Sequence, residues 1–149
     1  MNPVTARYWT SLEQELLQEA KSIADIYAIA EAILARMPDN LVQVCGPITN
    51  GGRGSIEENL QALNEMIAQL QSEGVQIFDQ VPYEESIHRV RNTPEFMQTY
   101  EHVLSDFYER LFLSGKVAGL YFLSGWESSR GAMWEHDKAK EYGFEIRYL

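Results

Sequence analysis

Ser128, Ser129, Arg130 and Gly131 stand together, and Glu135 follows four residues after Gly131. Backbone N–H groups at a helix N-terminus, serine hydroxyls and a guanidinium are together suited to a phosphate. Glu135 falls about one turn inside the helix that these residues start. A carboxylate near the positive end of a helix ionises more easily, and an ionised carboxylate can act as a nucleophile. The plainer reading of this spacing is a helix cap followed by a surface glutamate. A second glycine-bearing segment, Gly46-Pro-Ile-Thr-Asn-Gly-Gly-Arg-Gly54, carries Arg53. It is neither a Walker A loop nor a G-x-G-x-x-G fingerprint, and no Lys-Ser/Thr follows it, so an ATPase reading is poor. Taken alone it is a flexible turn. Asp79 ends a short apolar run and is placed to touch a base or a ribose. Cys45 ends another and reads as a small core residue rather than a nucleophile. His88 and His102 lack ligand spacing, so no metal is expected. His136 points to a different helix face from its neighbour Glu135. Trp126 and Trp134 suit base stacking and core or interface packing equally.

The elements that must position these residues follow from pattern and punctuation. Leu12, Leu16, Ala20, Ile23, Tyr27, Ala30 and Leu34 recur at helical gaps, which predicts helix over 10–37. Ser11 with Gln14 is a capping-box start, and Ser22 can restart a second helix, so one long helix or two short ones both fit. From Leu41 the architecture changes. Leu41–Cys45 reads as a strand, and Ser55 with Glu58 as a second capping box. Leu60, Leu63, Ile67 and Leu70 then mark a helix that ends at Gly74, and Val75–Phe78 reads as the next strand. Residues 79–94 read as loop with at most a helical turn. Thr93-Pro94 predicts a helix to about Phe112. Val117–Leu123 reads as a central strand covered on both faces. After the 124–131 loop come a helix to Tyr142 and a strand over 144–148.

This order predicts an α/β fold, a three-layer sandwich around a parallel sheet of four to five strands with right-handed crossovers. Residues 1–40 form a helical extension and 41–149 the α/β domain. Ligands of such sheets sit beyond the carboxyl ends of the strands where the strand order reverses. The loops 46–54 and 124–131 both lie at strand carboxyl ends.

The chain has 149 residues, 45% hydrophobic and 23% charged, which suits a folded core and disfavours disorder. Its net charge of −10, with no basic block, disfavours a nucleic-acid polymer or an anionic membrane as partner. A single cysteine excludes an internal disulfide and makes a reducing cytoplasm the simplest setting. No apolar run approaches the ~20 residues that span a bilayer, and the N-terminus has no signal-peptide core.

Cys45-Gly-Pro-Ile-Thr-Asn-Gly-Gly-Arg-Gly-Ser55, Asn59, Gly74-Val-Gln-Ile-Phe78 and above all Gly125-Trp-Glu-Ser-Ser-Arg-Gly-Ala-Met-Trp-Glu-His-Asp-Lys-Ala139 resemble the nucleoside 2-deoxyribosyltransferase superfamily. The nearest likeness is to a branch with the signature G-W-E-x-S-x-G-A-x-x-E. The resemblance covers about residues 41 to 149. It implies a doubly wound, flavodoxin-like sheet and cleavage of the N-glycosidic bond of a nucleoside or nucleotide. It implies that Glu135 is the nucleophile, that Ser129 and Gly131 hold a 5′-phosphate, and that Arg53 serves that phosphate. Gly46, Pro47, Ile48, Asn59, Asp79, Ser128 and Arg130 complete the expected binding set. No cofactor is implied, and a homo-oligomer is. The superfamily carries an aspartate in the helix before the third strand and another just ahead of that strand. Counted back from Gly125 without gaps, Arg110 and Ala118 stand at these two places; Asp106 meets the first if Leu113–Lys116 is a four-residue insertion. A site without that second aspartate also suits a module that binds nucleotide without turnover.

Overall fold

The structure, a computed structural model, describes residues 1–49 and 51–149. Asn50, inside the first glycine loop, lies outside the described residues. In chain order the elements are α1 (Pro3–Ala6), α2 (Ser11–Glu19), α3 (Ile23–Leu34), β1 (Leu41–Cys45), α4 (Ile56–Ser72), α5 (Val81–Arg91), α6 (Arg110–Leu113), β2 (Val117–Phe122), α7 (Arg130–Tyr142) and β3 (Glu145–Tyr148). They fall into two units, residues 1–38 with 82–116 and residues 39–81 with 117–149. The stretch 41–149 contributes to both.

In the helical unit, Thr10 starts α2. Its hydroxyl accepts the Glu13 N–H at 3.1 Å while the Glu13 carboxylate accepts the Thr10 N–H at 2.9 Å. The capping box therefore begins one residue before the expected Ser11–Gln14 pair. Ala20 is extended (φ −56°, ψ 136°) and ends α2, and Ser22 caps α3. Of the two alternatives, the two-helix one is found. From Ala20 on the expected stripe is buried, at Ala20, Ile23, Tyr27, Ala30 and Leu34; in α2 it is not, for Leu12 and Leu16 are exposed and Leu17 is buried instead.

Two further expectations are corrected in this unit. The 79–94 loop is largely α5, which buries Tyr83, Ile87 and Val90 at helical spacing. Its polar residues are used rather than solvated. Ser86 Oγ donates to Leu17 O at 3.1 Å, and the Arg89 guanidinium donates to Leu17 O and Ala20 O at 3.0 and 2.7 Å. These bonds go to carbonyls at the C-terminal end of α2, where regular intrahelical partners run out. The expected 93–112 helix is instead a 3₁₀ turn at Phe96–Gln98, a π-helix at Leu104–Glu109, and then α6. The wider π turn brings the neighbours Phe107 and Tyr108 inward together, above the buried pair Leu111 and Phe112.

The α/β unit is a parallel sheet in the order β1-β2-β3. Side chains alternate across it, as the period of two requires. Val42, Val44 and Tyr121 pack with Leu63, Ile67 and Leu70 of α4 on one face. Gln43 and Cys45 meet Glu135 of α7 on the other, where the Phe122 ring lies 5.1 Å from that of His136. Helices therefore cover both faces. The sheet has three strands rather than the expected four to five. Val75–Phe78 makes a single parallel bridge, Ile77 to Val42, through Val42 N–H to Gln76 O and Phe78 N–H to Val42 O, both 2.9 Å. The ladder stops because the Gln80 side-chain amide takes the next β1 carbonyl, Val44 O, at 2.5 Å. The Asp79 carboxylate meanwhile accepts the Val81 N–H and turns the chain into α5. Among the described residues no helix is long and apolar enough to cross a membrane.

Candidate functional site

The bridge at Ile77 lies on one side of β1 and β2 on the other. The connections after β1 therefore run in opposite directions across the sheet, which makes the carboxyl ends of β1 and β2 the reversal point where α/β sheets bind ligands. Both glycine-bearing loops leave from there, and they touch. Gly52 N–H donates to Ser128 Oγ at 2.9 Å, and Ser128 Oγ donates to Gly125 O at 2.7 Å. A Cβ on Gly51 would stand 2.4 Å from Ser128 O, and one on Gly46 would stand 2.9 Å from Leu123 Cδ1. Gly51 (φ +70°) and Gly52 (φ +62°) also hold a backbone that side chains rarely adopt. Glycine is thus required where the loops cross.

Asn59 holds the first loop from the second residue pair of α4. Its Oδ1 accepts the Arg53 N–H at 2.9 Å, and its Nδ2 donates to Ile48 O and Gly51 O at 3.1 and 3.3 Å. The expected contact residue is therefore a clamp on the loop. Pro47 is buried against the Gly52 side of the same turn, and Ile48 packs on the α4-side core. Asn59→Ala removes three hydrogen bonds from a buried side chain and is expected to cost ~1–3 kcal/mol. Amide exchange at Arg53 should accelerate while β1 stays protected; unchanged Arg53 protection would contradict the clamp.

The second loop ends in a capped helix. Ser129, buried, accepts the Ala132 N–H at 3.2 Å and so caps α7. The Arg130 and Gly131 N–H groups of the first turn have no hydrogen bond among the described residues. Arg53 and Arg130 are exposed, and among the described residues neither is in an ion pair. On a chain of net charge −10 they are exposed cations, one on each of the two loops that meet at Ser128, and Arg130 opens α7.

Glu135 is 8% exposed and no surface glutamate. Its Oε2 accepts from Gln43 Nε2, and Cys45 Sγ lies 3.4 Å from the same oxygen. Burial first, then the Glu135 charge, push the Cys45 thiol well above its ordinary range, so the sulfur stays protonated and donates. It has the character of a hydrogen-bond donor, not a nucleophile. Neither contact to Glu135 was legible as such, although Gln43 left a signal: it is the one polar residue in Leu41–Cys45. His136, as expected, serves another face; its ring stacks on Trp126 at 4.4 Å and its Nε2 meets Tyr148 Oη at 2.6 Å. Trp126 is thereby engaged, and Trp134 lies under Lys138 Nζ.

Asp79 is buried at the carboxyl end of the bridge segment. Asp106 belongs to the helical unit, where its carboxylate accepts the His102 N–H. Glu135 and Asp106 thus lie in different units. Among the described residues no group of three His, Cys, Asp or Glu side chains is placed to hold a metal ion.

Residues 41–148 match the family described as "Domain of unknown function (DUF4406)". No curated protein and no solved structure matches the chain.

Proposed function

This chain belongs to the DUF4406 family, and from the geometry of its own residues we propose that it binds a nucleoside 5′-monophosphate or a close relative and cleaves the N-glycosidic bond. One observation carries the reading: a buried carboxylate, Glu135, held at the carboxyl end of β1 and one turn behind an open helix N-terminus. The likeness of 125–139 and 45–55 to the nucleoside 2-deoxyribosyltransferase superfamily supports it. So does the strand order, with Ile77 beside β1 and helices on both faces, which suits a doubly wound, flavodoxin-like sheet. The phosphate would lie on the N–H groups of Arg130 and Gly131, beside the Arg53 and Arg130 guanidiniums. A single buried thiol suits a reducing cytoplasm, and exposed Leu12 and Leu16 suit a homo-oligomer.

In the reaction, a Glu135 oxygen bonds to C1′ as the C1′–N bond breaks. The electron pair leaves on the base nitrogen, which takes up a proton. Negative charge beside the oxocarbenium-like transition state stabilises it, and covalent capture divides one hard step into two. Water then bonds to C1′, loses a proton, and releases the sugar phosphate and the Glu135 carboxylate. Phosphate anchoring favours hydrolysis over transfer to a second base.

Binding without turnover is the second reading. It is favoured by Ala118, which an ungapped count sets at the place of the superfamily's second aspartate, and by the engaged Asp106 carboxylate. Chromatography of free base and thermal shift on one panel of nucleosides and 5′-monophosphates separates the two. Release of base is the expected result. A shift without release establishes the second reading, and neither response overturns both.

Gly131 provides a sharper check of the phosphate. Its φ is ordinary, and an added Cβ would meet only Ser129 Oγ, at 3.8 Å. The protein itself does not demand glycine there, and glycine within a helix costs roughly 0.5–1 kcal/mol against alanine. Gly131→Ala should therefore raise the melting temperature while weakening nucleotide binding about tenfold or more, ~1.4 kcal/mol. Unchanged affinity in titration calorimetry would remove the backbone–phosphate contact from the proposal.

A further inference from the structure

We infer that Gln43 is the positioning residue of this site: its side-chain amide, with the Cys45 thiol as second donor, holds the Glu135 carboxylate in its attacking orientation. The attack rests on the glycosidase reading; the hydrogen bonding does not. Gln43 is 1% exposed, in a strand otherwise built of Leu41, Val42, Val44 and Cys45. An amide in such a place is costly unless it is bonded. Its Nε2 donates to Glu135 Oε2, and the thiol two residues on approaches the same oxygen. Residues i and i+2 of a strand share a face, so β1 presents both donors side by side. Both are permanent: the amide does not ionise, and the thiol is held protonated. Paired donors of this kind favour the charged form of a carboxylate and fix its rotation.

The other end of the same amide is the second observation. Gln43 Oε1 is buried and has no hydrogen-bond partner among the described residues. Most buried side-chain polar atoms find a partner. Here only the NH₂ end is served, and it serves Glu135. Rule-breaking of this sort concentrates at functional sites. The sheet also explains the reach: α7 packs on the β1 face that carries Gln43 and Cys45, so residues 92 apart in sequence meet directly.

The test is a stability cycle at pH 8 with an activity arm, on the full chain. Gln43→Leu should lower the urea midpoint when Glu135 is present, because a buried carboxylate loses one of its donors. In a Glu135→Leu background the same change should raise the midpoint, because it then removes a buried amide whose oxygen is unpartnered and whose nitrogen has only the weakly accepting Cys45 sulfur. Equal shifts in both backgrounds would overturn the inference. Should Gln43→Leu not fold, Gln43→Asn, one methylene short, carries the test. On a substrate that the wild type cleaves, kcat should fall tenfold or more with KM within twofold, and Cys45→Ser should lie closer to wild type than Cys45→Ala. A fall in KM and kcat together, or no fall, would reduce Gln43 to a packing residue. If the wild type releases no base, the glycosidase reading fails, and the sign reversal in the cycle still decides whether Gln43 holds Glu135.

Discussion

Glu135→Gln is expected to bind the nucleotide and to release about a thousandfold less base from it, or none. The amide keeps the size of the carboxylate, and its oxygen can still accept from Gln43 and Cys45. It carries no charge to stabilise an oxocarbenium-like centre and no oxygen nucleophilic enough to capture C1′. A loss of 10³–10⁴ in rate corresponds to ~4–6 kcal/mol of barrier, at ~1.4 kcal/mol for each factor of ten. Ground-state binding should survive, because the proposed phosphate contacts lie on Arg130 and Gly131 and not on the carboxylate. Single-turnover base release and equilibrium titration, run on both proteins, separate these effects. Base release by Glu135→Gln at the wild-type rate would remove Glu135 as nucleophile, wherever the substrate sits.

Glu84→Gln is expected to stabilise the protein at pH 8 and to change little at pH 5. Glu84 lies in the helical unit, buried on α5, and accepts a hydrogen bond from the Tyr108 hydroxyl of the π-helix. Burial pushes its carboxyl up to about 7, against the opposing effects of Tyr108 and Arg91. Between its unfolded value near 4.5 and about 7, the folded protein holds a proton that the unfolded chain has lost. Stability from this group is therefore complete below pH 4.5 and is lost as pH rises to about 7. A rise of that size corresponds to about 3 kcal/mol at ~1.4 kcal/mol per unit. Glutamine cannot ionise, and its amide oxygen still accepts from Tyr108. Urea denaturation at pH 5 and pH 8 should show the wild type losing stability relative to the variant as pH rises. A constant difference at the two pH values would mean that Glu84 is not protonated in the folded protein.

Short-range chemistry was legible in the residues themselves. Ser55 and Ser22 cap helices where their types and followers said they would, and Gly143 closes α7. The apolar runs at 41–45 and 117–122 are strands, and the order of elements placed both loops at strand carboxyl ends. Such signals are local, because a cap or a turn satisfies backbone groups within three or four residues. What the sequence left open depended on partners far along the chain. Val75–Phe78 is as apolar as a strand, yet it stops at one bridge because the Gln80 amide claims Val44 O. The polar residues of 81–91 suggested loop until Ser86 and Arg89 met the carbonyl ends of α2. On spacing alone Glu135 read more plainly as a surface residue, and only the packing of α7 against β1 buried it on Gln43 and Cys45. A buried polar group must find a partner, and the layers of the fold, not distance along the chain, decide which one it meets.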